Sequence, residues 1–318
     1  MADLEMIQYH PTTIQIPGKR LLVSEAARGE GGRLFYRDAA GKPCYFMEEK
    51  YGSGGNLMPR DVVAREMEQC GKEVYLDLTG LSRHIWEHRL CDLREELLHY
   101  LALDPKMEPV PVSPGIHFFM GGIRVDERHQ SNIPGVYAAG ECACAYHGAN
   151  RLGGNSLLGA IYGGKRAALS AQEDAAGEKD SVIVIPMPAE SVLDDSSGLE
   201  ADFSELLIRS LPVLRTEERM QEGLEELLAE KAGIPQTDVL SAARLLLAEA
   251  ILRSALARKE SRGAHSVREY PKRQDALPKL TTAQYIHNAV EIGFAQIPPL
   301  REEWKSGMQT GSDGGREV

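Results

Sequence analysis

A chain of 318 residues is long enough to bury two or three separate cores. Its formal net charge of −11 argues against a general nucleic-acid surface, and no apolar run approaches the roughly 18 to 20 residues that cross a bilayer. The first residues, Met-Ala-Asp-Leu-Glu-Met, lack the basic-then-apolar order of a signal peptide, so an intracellular, cytoplasmic location is expected. The five cysteines are an odd number scattered along the chain and do not read as a disulfide framework. Neither Cys142-Ala143-Cys144 nor the His84/His88 pair has a second set of ligands, so no metal site is expected.

Taken in order, residues 4–10 alternate as a strand that Pro11 is expected to end, and 21–23 form a second short strand before Ser24, Glu25 and a turn over 29–32. Residues 33–58 read as loop, with turn signals at 41–43 and 52–55. Pro59-Arg60-Asp61 opens a helix reaching about Gln69, with proline in an early turn and Asp61 at the positive end. A strand over 74–78 precedes a helix over 81–100, with Ile85, Leu90, Leu93, Leu97 and Leu98 facing inward. Further on, a short apolar strand over 135–139 turns at Gly140, and small residues lead to Asn155, a residue type suited to capping the helix 156–172. Leu158, Ile161, Tyr162 and Leu169 make one stripe of that helix. Gly163-Gly164 inside it cost roughly 1 kcal/mol each relative to alanine, which marks close packing. Residues 175–198 are linker-like. From Glu200 three leucine-rich stripes follow: Phe203, Leu206, Leu207 and Leu211; then Met220, Leu224, Leu227 and Leu228, stopped by Gly233 and Pro235; then Val239, Leu240, Ala243, Leu246, Leu247 and Ile251. The tail after Trp304 is polar and expected to be disordered.

The stretch from Gly135 to Leu158 carries the chemistry. Glycine lets the backbone come close to a ligand, and the free N–H groups and positive dipole end of the following helix favour an electron-rich group there. A lone glycine motif is more often an ordinary connection, but this one has company. Gly-Glu-Cys-Ala-Cys-Ala-Tyr-His-Gly-Ala-Asn-Arg-Leu-Gly-Gly-Asn-Ser-Leu-Leu over 140–158 resembles the flavoprotein subunit of succinate dehydrogenase and fumarate reductase. Gln8-Tyr9-His10-Pro11-Thr12, Ser24-Glu25-Ala26-Ala27-Arg28-Gly29-Glu30, Pro59-Arg60-Asp61 and His117-Phe118-Phe119-Met120-Gly121-Gly122 agree with it in the same order.

The resemblance implies an α+β / α/β multidomain fold: a capping domain over 1–115, the C-terminal part of a Rossmann-like FAD-binding domain over 116–174, a linker over 175–198, a helical bundle over 199–275 and a partly disordered extension over 276–318. FAD is the implied cofactor. The glycine-rich G-x-G-x-x-G turn that cradles its pyrophosphate occurs nowhere in the chain, so the N-terminal FAD-binding half is expected to lie upstream of Met1 and the chain by itself to be inactive.

Carried over motif by motif, Arg151 with His117 would hold one carboxylate of a C4 dicarboxylate such as succinate or fumarate, and His10 with Ser24 the other. Serine stands at 24 where the family commonly has threonine, which keeps the hydroxyl. Arg60 would move a proton at the carbon next to the hydride-accepting one, with Glu25 as its relay. Glu141 would bond the sugar-alcohol of FAD, and the helix start at Asn155, Ser156 and Leu157 would face the flavin. Arg28, Glu30 and His147 are in motif but read as turn supports. The implied partner is an iron–sulfur subunit, as in respiratory members, or none, as in a soluble fumarate reductase; contact with a membrane would come only through partners. Two other readings stand beside this one. L-aspartate oxidases resemble the chain too, but usually read Asn-Arg-Met-Ala-Ser-Asn-Ser where it has Asn150-Arg151-Leu152-Gly153-Gly154-Asn155-Ser156, and a non-catalytic fragment would keep the same motifs.

Overall fold

The computed structural model describes residues 1–16, 19–177, 197–232, 239–274 and 279–296. Most of the expected linker, the Gly233 and Pro235 stop, the side chain of Phe203 and the tail after Trp304 lie outside the described residues.

The first part of the chain is built on a six-stranded antiparallel sheet. In chain order the elements are β1 (Ile7–Ile16), β2 (Lys19–Leu22), α1 (Glu25–Gly29), β3 (Arg33–Arg37), β4 (Pro43–Cys44), α2 (Phe46–Tyr51), α3 (Arg60–Cys70), β5 (Val74–Asp77), α4 (Arg83–His88), α5 (Cys91–Leu101) and β6 (Val110–Phe119). The strands lie in the order β2-β1-β6-β5-β3-β4. Pro11 does not end the first strand. The ladder between β1 and β6 shifts register between His10 and Thr13, and the proline, which has no N–H to give, sits in that irregular stretch while β1 runs on to Ile16.

Residues 33–58 are more ordered than their glycines suggest: Leu34 and Phe35 are buried on β3, which pairs with β5 from Arg33↔Asp77 to Tyr36↔Val74. The single helix expected over 81–100 is two. The Arg89 and Leu90 N–H groups both bond to the Ile85 carbonyl, which tightens the end of α4 before α5 starts at Cys91; no glycine or proline marks the break. Trp86, Leu90, Leu93 and Leu97 face the core, whereas Leu98 is exposed.

β7 (Ile123–Arg124) and β8 (Ala143–Cys144) form a short parallel pair. Between them the expected strand over 135–139 reduces to one bridge, Gln130↔Tyr137, because no longer partner strand lies alongside it among the described residues. α6 (Asn155–Gly177) follows as expected. Its apolar stripe does not reach a core among the described residues: Leu158, Ile161 and Tyr162 are 66%, 64% and 59% exposed. Of the glycine pair, only Gly163 is closely packed, since a Cβ there would stand 2.8 Å from His129 Cε1, while Gly164 faces open space.

α7 (Ser197–Ser210), α8 (Glu217–Ala232) and α9 (Val239–Ala257) make the helical part. Leu206, Leu211, Met220, Leu224, Leu227, Leu245 and Leu252 share one core, and apolar residues surround α9 on nearly all sides, as suits a central helix. Two antiparallel strands, β9 (Lys279–Ile286) and β10 (Ala289–Gln296), occupy a stretch read from sequence only as an extension. His287 and Asn288 both take positive φ, 50° and 62°, the two-residue turn that suits a twisted hairpin even without glycine.

Two features tie these parts together. α3 is a shared wall: Val63 and Met67 belong to the core of the sheet with Leu34, Leu76 and Trp86, while Ala64 belongs to the helical core with Ile7, Tyr9 and Leu206. A buried ion cluster then fastens the end of α9 to the N-terminal segment. Arg258 bonds to Asp3, Glu5 and Glu260, and its Nη2 donates to Thr281 Oγ1 on β9 at 2.7 Å. Burial and the neighbouring Glu5 push the Asp3 carboxyl up to about 6, against the pull of Arg258.

Candidate functional site

The residues nominated for the substrate and the proton fall on β1, α1, α3 and β6, with Ser24 capping α1 and Arg151 on the loop before α6. His10 lies on β1 just before the register shift, and His117 lies on the neighbouring β6; their rings stand 5.2 Å apart, edge to face. His10 Nδ1 stands 3.3 Å from the Thr12 backbone nitrogen and 3.2 Å from the Thr12 carbonyl oxygen, and Nε2 is a buried atom with no partner. Burial, with Arg60 and His117 adding to it, pushes His10 down to about 2, and burial with Arg60 and Arg151 pushes His117 down to about 4, so both rings are neutral at pH 7.

Pro59 precedes the first residue of α3, which places Arg60 at the helix start, buried, with Nη2 on Glu25 Oε2 at 2.8 Å. Glu25 opens α1, capped by the Ser24 hydroxyl, which accepts from the Ala26 N–H. Ser24 itself is exposed, so its hydroxyl serves the helix end as well as any role at the site. The other Glu25 oxygen accepts from Arg28 Nη2 at 3.2 Å. Burial raises the Glu25 carboxyl, but the Arg60 hydrogen bond and the charges of Arg60, Arg28 and Arg151 outweigh it and hold it below its ordinary value.

Arg151 follows the loop 145–150 and is buried, its guanidinium over the Phe118 ring with 4.4 Å to the centroid. Burial and the nearby Arg60 lower it, and Glu141 and Glu25 oppose that. What joins Arg151 to Arg60 is a residue that sequence reading quoted only as part of a motif. Gln8 is fully buried, and its Oε1 accepts from both guanidinium groups, from Arg151 Nη2 at 2.9 Å and from Arg60 Nη1 at 3.1 Å. Its Nε2 donates to Asn150 Oδ1 at 2.9 Å and to the Arg151 carbonyl at 2.6 Å, so a flipped amide would set donors against donors. Asn150 in turn donates to Asp61 Oδ1 at 2.7 Å, and Asp61 pairs with Arg65, whose Nη1 donates to the Gly263 carbonyl. The segment carrying Arg151 is thereby fixed to α3 and to the chain after α9. Gly263 needs its missing side chain for this, since a Cβ would stand 2.5 Å from the Ala149 carbonyl.

The site is therefore a cluster of three buried guanidinium groups, Arg28, Arg60 and Arg151, around one carboxylate. Arg28 Nε, Arg60 Nε and Arg151 Nε are buried N–H groups without partners, and His10 Nε2 is a buried ring nitrogen without one. Such donors normally find an acceptor, and a net positive pocket of planar forks is what holds a carboxylate.

The residues expected at the flavin are near but separate. Glu141, in a short 3-10 turn over Gly140–Cys142, accepts from the Phe119 N–H at 2.9 Å. Asn155 is the first helical residue of α6 rather than a cap outside it, with its N–H on the Leu152 carbonyl at 3.3 Å. Ser156 and the exposed Leu157 follow in the first turn. Among the described residues no group of three or more His, Cys, Asp or Glu is placed to hold a metal.

Comparison with known proteins identifies the family. Residues 1–157 match the FAD binding domain family and residues 240–301 the fumarate reductase flavoprotein C-terminal family. The succinate dehydrogenase flavoprotein subunit of Bacillus subtilis is 35% identical, over 93% of this chain and 58% of that protein. The L-aspartate oxidase of Caulobacter vibrioides is 37% identical, over 85% of this chain and 51% of that one. A solved Escherichia coli quinol fumarate reductase superposes with a TM-score of 0.73 at 28% identity, covering 94% of this chain and 60% of its own. The chain thus spans a little over half the length of the relatives it matches. With a multidomain α+β fold and both family segments in order, the chain belongs to the FAD-dependent flavoprotein family of the succinate dehydrogenases and fumarate reductases, which includes the L-aspartate oxidases.

Proposed function

We propose that this chain carries the substrate side of an FAD-dependent oxidoreductase that interconverts a C4 dicarboxylate pair, succinate and fumarate, within a protein that also has a pyrophosphate-binding half. The observation that carries the reading is the set of buried, unpartnered N–H groups on Arg28, Arg60 and Arg151 around a single carboxylate, with the unpartnered Nε2 of His10. In this reading Arg151 and His117 hold one carboxylate of the substrate, and His10 and Ser24 the other. Neutral histidines donate a hydrogen bond without adding a charge that would itself need solvation. Arg60 holds the proton to be delivered to the substrate carbon, and Glu25, on its Nη2, re-supplies it from the half-exposed side of α1. Gln8 keeps Arg60 and Arg151 convergent while spending none of their charge.

The described residues fit the flavin end of FAD. The N–H groups of the first turn of α6 have no intrahelical acceptors, Gly140 and Gly154 take φ of 78° and 81°, and residues 152–155 are exposed. FAD, when bound, supplies the two-electron hydride chemistry; in this reading Glu141, Asn155, Ser156 and Leu157 would hold it. The domain division follows the same reading: 1–115 as cap, 116–174 as part of the FAD-binding domain, 199–275 as helical domain. No helix among the described residues is long and apolar enough to cross a membrane. The partner this reading implies is an iron–sulfur subunit.

Calorimetric titration of the chain with succinate and with propionate tests the reading. Succinate should bind the more tightly, and Arg151→Ala should weaken it by about thirtyfold to several-thousandfold, the cost of removing one partner of a desolvated charged pair. Equal binding of the two acids, or an Arg151→Ala protein that binds succinate as wild type does, overturns it.

A further inference from the structure

Tyr146 and His129 form a hydrogen-bonded pair that the arginine cluster does not use. His129 is buried and takes a left-handed conformation, φ 62°, with its N–H on the Asp126 carbonyl at 3.1 Å and its carbonyl accepting from the Ala138 N–H at 3.1 Å. Its ring Nδ1 lies 2.7 Å from the Ala138 carbonyl oxygen, which can only accept, so Nδ1 carries a proton. In the neutral ring Nε2 is then a bare acceptor, and the Tyr146 hydroxyl donates to it. Helix α6 leaves room for the pair. A Cβ at Gly163 would stand 2.8 Å from His129 Cε1 and 2.9 Å from the Tyr146 hydroxyl oxygen, and one at Gly159 would stand 3.2 Å from Tyr146 Cδ2. The imidazole is therefore fixed from three sides, while Tyr146 itself is exposed.

We propose that Tyr146 is a redox-active tyrosine, a site that gives up one electron to an oxygen-centred radical, with His129 as the base that takes its proton. The inference is independent of what the arginine cluster binds. A phenol that loses an electron becomes a strong acid, so it is oxidised readily only where a base already holds its O–H. Five other tyrosines among the described residues, Tyr45, Tyr51, Tyr75, Tyr137 and Tyr270, donate to carboxylates, and Tyr9 donates to a carbonyl. By their ordinary values an imidazole holds a proton roughly a hundredfold more tightly than a carboxylate does, and Tyr146 is the described tyrosine that donates to one. In the step, the radical takes one electron from the Tyr146 ring and becomes an anion. The phenolic O–H bond breaks and its proton moves to His129 Nε2, which leaves a neutral tyrosyl radical beside an imidazolium. The Ala138 carbonyl, already on Nδ1, stabilises that cation without rearrangement. A one-electron reductant from solution, of the ascorbate class, returns the electron, and the proton goes back from Nε2 to the phenolate oxygen.

Flash oxidation of the chain with a photogenerated ruthenium(III) polypyridyl complex tests this, with the tyrosyl radical followed by its absorbance and EPR signal and located by spin trapping and mass spectrometry. The wild-type radical should map to Tyr146. It should disappear in Tyr146→Phe, which removes only the hydroxyl, and persist in Tyr162→Phe, which alters the exposed ring that meets Tyr146 edge to face at 5.9 Å. His129→Asn keeps an N–H for the Ala138 carbonyl and tolerates the left-handed backbone but lacks Nε2, so radical formation should slow by about a hundredfold, the usual worth of a positioned base. A wild-type radical that maps to another residue overturns the proposal, and so does a Tyr146→Phe signal equal to wild type or a folded His129→Asn protein that forms the radical within about twofold of the wild-type rate. If His129→Asn does not fold, the wild type alone decides: equal rates in H2O and D2O mean that no proton moves with the electron, and that result also overturns it.

Discussion

Replacing Gln8 by leucine is the sharpest test of how the two arginines are held. Leucine matches the volume of glutamine closely and removes four hydrogen bonds at once: those from Arg60 Nη1 and Arg151 Nη2 to Oε1, and those from Nε2 to Asn150 and to the Arg151 carbonyl. The two bonds from charged donors carry most of the weight, at about 1.5 to 3 kcal/mol each when the donors are buried and nothing replaces the acceptor. Arg60 and Arg151 are buried, and each already has one unpartnered Nε, so neither can turn to a ready substitute within the protein. The expected loss is about 3 to 6 kcal/mol of unfolding free energy, a fall in Tm on the order of 10 °C for a chain of this size. Urea unfolding followed by tryptophan fluorescence reports it, because Trp86 is buried in the core that α3 shares. A Gln8→Leu protein within about 1 kcal/mol of wild type would mean that the amide is a filler and that the arginines are placed by something else.

His10, buried, and His117, half-buried, set a pH dependence of stability. Their folded values, about 2 for His10 and about 4 for His117, lie below the unfolded 6.5, so the unfolded chain binds more protons as pH falls; their contribution is present above about 6.5 and is lost as pH falls toward 4. Asp3 acts oppositely: its raised value of about 6 makes a contribution that is present below its unfolded 3.8 and is lost as pH rises through 6. Urea midpoints between pH 4 and 7 should therefore fall less steeply with acid in His10→Gln than in wild type, and identical slopes would place the His10 ring in solvent. Purified alone, the chain should carry far less than one FAD, since no G-x-G-x-x-G turn is present to meet the two pyrophosphate charges; a stoichiometric flavin absorbance would reveal a phosphate site of another kind.

Much of the site was legible because its residues sit at signals that local chemistry explains. Pro59 announced the helix that begins at Arg60, whereas the short helix that Ser24 caps was read only as the approach to a turn. Gln8 escaped individual notice for a physical reason. β1 is buried on both faces, so alternation cannot tell an inward polar residue from a neighbour, and the partner that gives Gln8 its role is 143 positions away. The α6 stripe was read correctly as helical, but periodicity says which residues share a face and not whether anything covers it. The hairpin over 279–296 was hidden by its turn, where His287 and Asn288 take the left-handed conformations that glycine usually advertises.

The position of α3 between two cores has a consequence for how the chain comes apart. Val63 and Met67 on one side and Ala64 on the other make the helix a common boundary, so melting either core strips one face of α3 and exposes apolar surface that the other core had counted on. The sheet part and the helical part should therefore unfold as one cooperative unit instead of as two independent ones. Arg60, at the first turn of that boundary, then keeps its aim only while both halves are intact: a cavity opened among the leucines of α8 or α9 reaches the candidate site through the helix, although none of those leucines touches it.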